Sequence, residues 1–225
     1  LREAAAQIRA AAPGAQIVLA ALAPNSEPGG ANQSDISYLD GIYAGGGRAW
    51  FDIVAAEPYG FSEPAYAAPD PGRLNFSRAA LLYQVMARYD DAHTPVWAAA
   101  FGWNSLPANW TGAASSWGQV SEAQQAQYAS DALALAATRW PWLGVLFWAT
   151  DCPPTAAGDP RQGFALCRAD GSARPVAQAL SGAARRPAAL APGDHPVDHL
   201  ALRYGPGRGR TRQRDPGHPP GTRQC

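Results

Sequence analysis

The chain's 225 residues are 47% hydrophobic and 16% charged, with 21 Pro, 23 Gly and no unbroken apolar run long enough for a membrane helix, which excludes a spanning helix and a wholly disordered chain. Eighteen cations, every one an Arg, balance eighteen acids, so no global field draws nucleic acid or an anionic bilayer, and neither is expected as a partner. The balance is uneven: residues 184–225 hold eight Arg against three Asp, a net +5, and residues 1–183 carry −5.

Leu1 to Ala12 is Ala-rich and stops at Pro13-Gly14, a helix with its terminator. Ile17 to Leu22 is a continuous apolar run ended by Pro24-Asn25-Ser26, the pattern of a strand buried on both faces. Asp35 to Ala44 places Ile36, Leu39, Ile42 and Tyr43 on one helical stripe, Gly45-Gly46-Gly47 stops it, and Trp50 to Ala56 reads as the next strand. Asn75 to Tyr89 repeats the helical spacing with Leu81, Leu82, Val85, Met86 and Tyr89, and Pro95 to Phe101 is a third apolar strand. Ser121-Glu122-Ala123-Gln124 is a capping-box pattern opening a helix that Pro141 ends after Trp140. Leu143 to Ala149 is the fourth strand, and Arg174-Pro175 opens a short Ala-rich helix ending near Gly182.

The strands start near residues 17, 51, 96 and 143, so each strand-plus-helix unit takes about 35 to 47 positions, the size of a βα unit with elaborated loops. Strict alternation predicts an α/β fold with a parallel sheet and right-handed crossovers. Periodicity leaves two architectures open: half of an eight-stranded barrel, with helices on one side, or a doubly wound sheet with helices on both. The glycine triplet at 45–47 precedes a strand instead of following one, so it is no phosphate loop. Three cysteines have no metal-binding spacing, and the four His, at 93, 195, 199 and 218, offer no general base. No cofactor or metal is expected. Cys152 and Cys167 can pair across a Pro/Gly-rich loop in an oxidising compartment. From Arg185 onward apolar spacing is lost among Pro, Gly, Arg and His, so residues 184–225 are expected to form a disordered tail and residues 1–183 the folded domain. The absence of a start Met or leader before Leu1 gives the chain the look of a piece of something longer.

In parallel α/β architectures ligands meet the carboxyl ends of the strands. The second strand leaves through Glu57-Pro58-Tyr59-Gly60-Phe61, the third through Ala100-Phe101-Gly102-Trp103-Asn104 and the fourth through Trp148-Ala149-Thr150-Asp151. Rings mixed with amide and carboxylate groups suit a sugar, whose C–H faces stack on aromatics while its hydroxyls take hydrogen bonds. Any single Trp of the eight, such as Trp97 or Trp142, reads first as packing, clustering at the strand exits brings Trp103 and Trp148 level between packing and ligand, Glu57 reads equally as a salt-bridge partner, and Asp151 reads as a loop residue. The candidate ligand-facing set is Glu57, Tyr59, Trp103, Asn104 and Trp148.

Val96 to Asn104, preceded by Phe51 to Phe61 and followed by Gly118 to Ala126 and Trp140 to Val145, resembles the retaining (β/α)8-barrel glycoside hydrolases, notably cellulase-like and xylosidase-like bacterial members. The resemblance covers about residues 1–182 and corresponds to the second half of such a barrel. It implies a partial TIM barrel of about four parallel strands with helices outside, an oligo- or polysaccharide partner and a secreted parent protein. Such enzymes use two carboxylic residues about 5 Å apart, one an acid/base and one a nucleophile. The acid/base would lie on a strand preceding Leu1, and Ala100 stands where the family carries its nucleophilic Glu. Since a methyl group can neither attack carbon nor hold charge, the resemblance implies a glycoside hydrolase-like domain without intact catalytic residues. A non-catalytic carbohydrate-binding pseudoenzyme and a non-functional fragment are the alternatives. Glu57 reaching over from the neighbouring strand is the one substitute carboxylate in view. Four strands of a barrel would leave two open sheet edges, so self-association is also expected.

Overall fold

A computed structural model describes residues 1–26, 31–150 and 156–184. Asp151, Cys152 and the expected tail from residue 185 lie outside the described residues, and all described residues belong to one compact unit, Leu1–Ala191. The chain alternates α1 (Arg2–Ala11), β1 (Val18–Leu22), α2 (Asp35–Ala44), β2 (Ile53–Ala56), α3 (Ala79–Arg88), β3 (Val96–Phe101), α4 (Glu122–Arg139), β4 (Leu143–Trp148) and α5 (Pro175–Ala184).

Local chemistry accounts for the boundaries. Ser34 caps α2 by accepting from the Ile36 amide, and Ser121 and Gln124 make both halves of the capping box that starts α4. Two segments depart from the sequence expectation. Gly47–Trp50 is a 3₁₀ turn, entered through Gly46 in the left-handed region at φ 75°, so the second strand starts at Ile53 and not at Trp50. Asp159 caps a further 3₁₀ turn at Pro160–Phe164 that periodicity does not reveal.

The four strands form one parallel sheet in the order β1-β2-β3-β4. A doubly wound sheet reverses its strand order partway, whereas sequential order with right-handed crossovers keeps the helices on one side. The fold is therefore α/β and corresponds to a partial (β/α)8 barrel. One face of the sheet, carried by Leu19, Val54, Ala56, Val96, Ala98 and Leu143, packs with Leu39 and Tyr43 of α2, Leu82, Val85 and Met86 of α3, and Ala132, Leu135 and Ala136 of α4 in a single core. On the opposite face Ile53 and Ala55 are buried outside that core, and exposed positions lie to either side of them. Val18 keeps 39% and Phe147 51% of its surface exposed, and Ala20 and Ala99 are exposed as well. Among the described residues, β1 and β4 are the sheet's edges. No helix among the described residues is long and apolar enough to cross a membrane.

The N-terminal ends of the strands are tied together by ions. Asp91, buried just before β3, accepts from Tyr43 Oη at 2.6 Å and Thr94 Oγ1 at 2.6 Å and pairs with Arg48 Nε at 2.6 Å. Asp52, just before β2, accepts from the Ile17 amide at 2.8 Å and from Arg9 at 3.2 Å. The Ile17 hydrogen bond and the Arg9 guanidinium hold its carboxyl below the usual carboxylate range.

Candidate functional site

At the C-terminal ends, β2 and β3 continue side by side past their last regular pairs. Tyr59 bridges to Gly102 in parallel, and the Gly60 amide donates to the Gly102 carbonyl at 2.9 Å. This pairing sets the level of Glu57 and Tyr59 beside the exit of β3. Gly102, at φ 149°, turns the chain there, and a Cβ on it would lie 3.1 Å from both the Trp148 and Phe164 rings. The register of β3 against β4 shifts between Ala98 and Phe101. Across that shift Ala98 and Phe101 belong to the core, whereas Ala99 is exposed and Ala100 is partly buried. Irregularities of this kind re-aim a side chain at a strand end. Here what they present is small and inert.

The five residues singled out from sequence divide into two groups. Trp103 and Asn104 have no exposed surface. Expected to meet a ligand, they instead pack the exit from within. The Trp103 indole lies over Gly60, where a Cβ would fall 1.8 Å from the ring, and donates to the Glu63 carbonyl at 2.6 Å. The Asn104 amide lies over Gly163 and donates to the Pro160 carbonyl at 2.8 Å. Buried Gln125 donates to the Trp103 and Gly163 carbonyls at 2.6 and 2.7 Å, and Arg174 donates to the carbonyls of Ser105, Gly163 and Ala165 while pairing with Glu122. These four side chains lock the β3 exit to the 160–165 segment and to the first turns of α4 and α5.

Glu57, Tyr59 and Trp148 form the second group, each partly exposed. Tyr59 packs against Trp117 at 5.9 Å between ring centroids and against Phe164 at 5.6 Å, and Trp117 meets Phe164 edge-on at 5.6 Å. Phe164 is 1% exposed and backs the other two rings. Trp148 donates its indole N–H to the Phe164 carbonyl at 2.7 Å and meets Phe101 edge-on at 5.3 Å. The strand exits thus carry a wall of Tyr59, Trp117 and Trp148 on a Phe164 base. Sequence reading missed Trp117 and Phe164 because both sit in loops without periodicity. Asp159-Pro160, a cap followed by proline, was the one local signal of an ordered turn ahead of Phe164.

The charged groups around this wall are committed, with one exception. Arg78 and Asp35, both buried, pair at 2.6 Å, and Arg78 also donates to the carbonyls of Asn25 and Pro71, tying together the loops that leave β1 and β2. Glu63 is held by Arg73 and Asn75, and Asp159 by Arg161. The Glu57 carboxylate has no hydrogen-bond or ion partner among the described residues, and its partial burial pushes it above the usual range. Burial, and secondarily the charge on Glu57, raises the Tyr59 phenol as well. Glu57 and Pro58 also line a small pocket with Leu22, Pro24, Asp35 and Arg78. Among the described residues no group of His, Cys, Asp or Glu is placed to hold a metal.

A scan of protein-family models finds no match, and no curated protein matches the sequence. Solved structures do. The chain is similar to a family 2 β-galacturonidase from Eisenbergiella tayi bound to galacturonate, with a TM-score of 0.52 and 14% identity over 81% of this chain and 29% of that one. It is similar also to an exo-β-agarase, with a TM-score of 0.51 and 11% identity over 80% of this chain and 20% of that one. A family 39 glycoside hydrolase from Bacteroides cellulosilyticus WH2 matches at 0.47 and 20% identity over 64% of this chain and 29% of that one. The fold is glycoside hydrolase-like. The chain spans less than a third of the length of each of these proteins.

Proposed function

We propose that the chain is a carbohydrate-binding domain of glycoside hydrolase ancestry that holds an oligo- or polysaccharide at its strand exits without cleaving it. The observation that carries this reading is the partly exposed wall of Tyr59, Trp117 and Trp148 beside the β3 exit, where Ala100 stands at the position the resemblance gives to the nucleophile. Aromatic faces backed by a buried ring supply rigid stacking surface at low entropic cost. Glycoside hydrolysis by the usual routes takes two carboxyl groups across the bond, and Glu57 is the single uncommitted carboxylate described at these exits. Titrating the full chain with cello- and xylo-oligosaccharides, read by Trp fluorescence, is expected to give saturable quenching. Aryl glycosides are expected to release no phenol above background. Phenol release in proportion to protein would establish an active glycosidase instead, and no quenching by any saccharide would favour the non-functional fragment.

Two further features belong to this reading. The open sheet face with Val18 and Phe147, and the free edges at β1 and β4, favour self-association of the isolated chain. The disulfide at Cys167 supports an extracellular location, where oxidising conditions preserve it.

A further inference from the structure

We infer that Arg174 is a positioning residue for the saccharide site: from the start of α5, outside the wall, it holds the segment on which all three partly exposed rings rest, an inference that builds on the saccharide reading above. Tyr59 and Trp117 each meet the Phe164 ring at 5.6 Å, and Trp148 donates to the Phe164 carbonyl at 2.7 Å. Whatever fixes Phe164 therefore fixes the wall. Phe164 ends the 3₁₀ turn Pro160–Phe164, which belongs to neither the sheet nor an α-helix. A turn this short gains little from its own hydrogen bonds, so its place is set by contacts from outside.

Arg174 supplies most of those contacts. Buried at 6% exposure, it donates from Nη1 to the carbonyls of Gln162, Gly163 and Ala165 at 3.3, 3.2 and 3.2 Å, from Nη2 to the Ser105 carbonyl at 2.7 Å and from Nε to Glu122 at 2.9 Å. With Trp148 on Phe164, the four consecutive carbonyls of residues 162–165 are all held by donors from Arg174 and the end of β4. The Ser105 amide donates back to the Gly163 carbonyl at 3.0 Å, which closes the tie to the chain leaving β3. Gln125 reaches the same segment at the Gly163 carbonyl alone. A planar guanidinium can meet acceptors on several sides at once, whereas a Lys ammonium is a single point on a flexible stem. Since a buried cation packs no better than an apolar side chain of its volume, what Arg174 contributes here is direction.

The test compares two variants of the full chain, Arg174→Lys and Glu122→Gln. The first keeps the charge and loses the fork. The second removes the charge partner and keeps the carbonyl bonds, since a Gln side-chain oxygen still accepts from Nε. Titration with cello- and xylo-oligosaccharides is expected to show affinity about tenfold weaker in Arg174→Lys and unchanged in Glu122→Gln, although both variants melt below the parent chain. Without ligand, acrylamide is expected to quench Trp emission more in Arg174→Lys than in the parent or in Glu122→Gln. Equal affinity in Arg174→Lys and the parent, or affinity that follows melting temperature in both variants, overturns the positioning role and leaves the saccharide reading standing. If the parent chain binds neither saccharide, that reading fails and quenching decides the role: a rise confined to Arg174→Lys supports it, and any other pattern overturns it.

Discussion

The two ends of the sheet are built on opposite electrostatic terms. At the N-terminal ends Asp91 is enclosed by Tyr43, Thr94 and Arg48, and Asp52 is met by the Ile17 amide and Arg9. At the C-terminal ends the Glu57 carboxylate, two residues before Tyr59, has no partner among the described residues. A carboxylate satisfied in the folded state supports the fold, whereas one that burial disfavours works against it and persists where something else employs it. The contrast therefore separates a stability end from the end proposed to bind, the division expected of barrels of this class.

The comparison breaks most visibly at Asp91. Asp91→Ala strands the Tyr43 hydroxyl and the Arg48 guanidinium and is expected to cost about 3 kcal/mol in urea unfolding, with saccharide affinity unchanged in the protein that remains folded. Gly60→Ala, at the opposite end, drives a methyl into the Trp103 ring and is expected to cost about 2 kcal/mol, measured the same way. It should also weaken binding, because Tyr59 precedes it. Glu57→Gln is expected to change stability by less than about 0.5 kcal/mol near neutral pH, in the stabilising direction.

The pH dependence sharpens the same contrast. Burial raises the Glu57 carboxyl in the folded state, so its contribution is present below the unfolded-state value and is lost as pH rises through the folded value. The Ile17 hydrogen bond lowers the Asp52 carboxyl, so its contribution is present above the unfolded-state value and is lost as pH falls through the folded value. Melting temperatures taken across the acid range should show Glu57→Gln gaining on the parent chain as pH rises and Asp52→Asn gaining on it as pH falls. Slopes of the same sign would contradict the division between the two ends. A local effect is expected at the α4 cap, where Ser121→Ala should cost about 1 kcal/mol and leave binding untouched.

Strands and helices were legible because burial writes itself as period: apolar runs marked β1 to β4, and the stripe through Leu39 and Tyr43 marked α2. Strand order was not, since spacing along the chain is silent on which face a crossover takes. The partly exposed positions of Glu57, Tyr59 and Trp148 were legible because they lie on the strands' own continuation. It was misjudged at Trp103 and Asn104, whose burial depends on side-chain-free positions at Gly60 and Gly163, the latter some sixty positions away. Trp117 and Phe164 were missed for a related reason: their contact with Tyr59 joins three separate loops, and such contacts leave no local pattern.

Calorimetric titration of cello- and xylo-oligosaccharides into the full chain tests the central claim in one measurement, because it registers binding and turnover together. A saturating isotherm that returns to baseline, abolished by Tyr59→Ala, is the expected result. Heat that continues at constant rate after each injection, or no heat above dilution, would contradict a domain that holds its saccharide without cutting it.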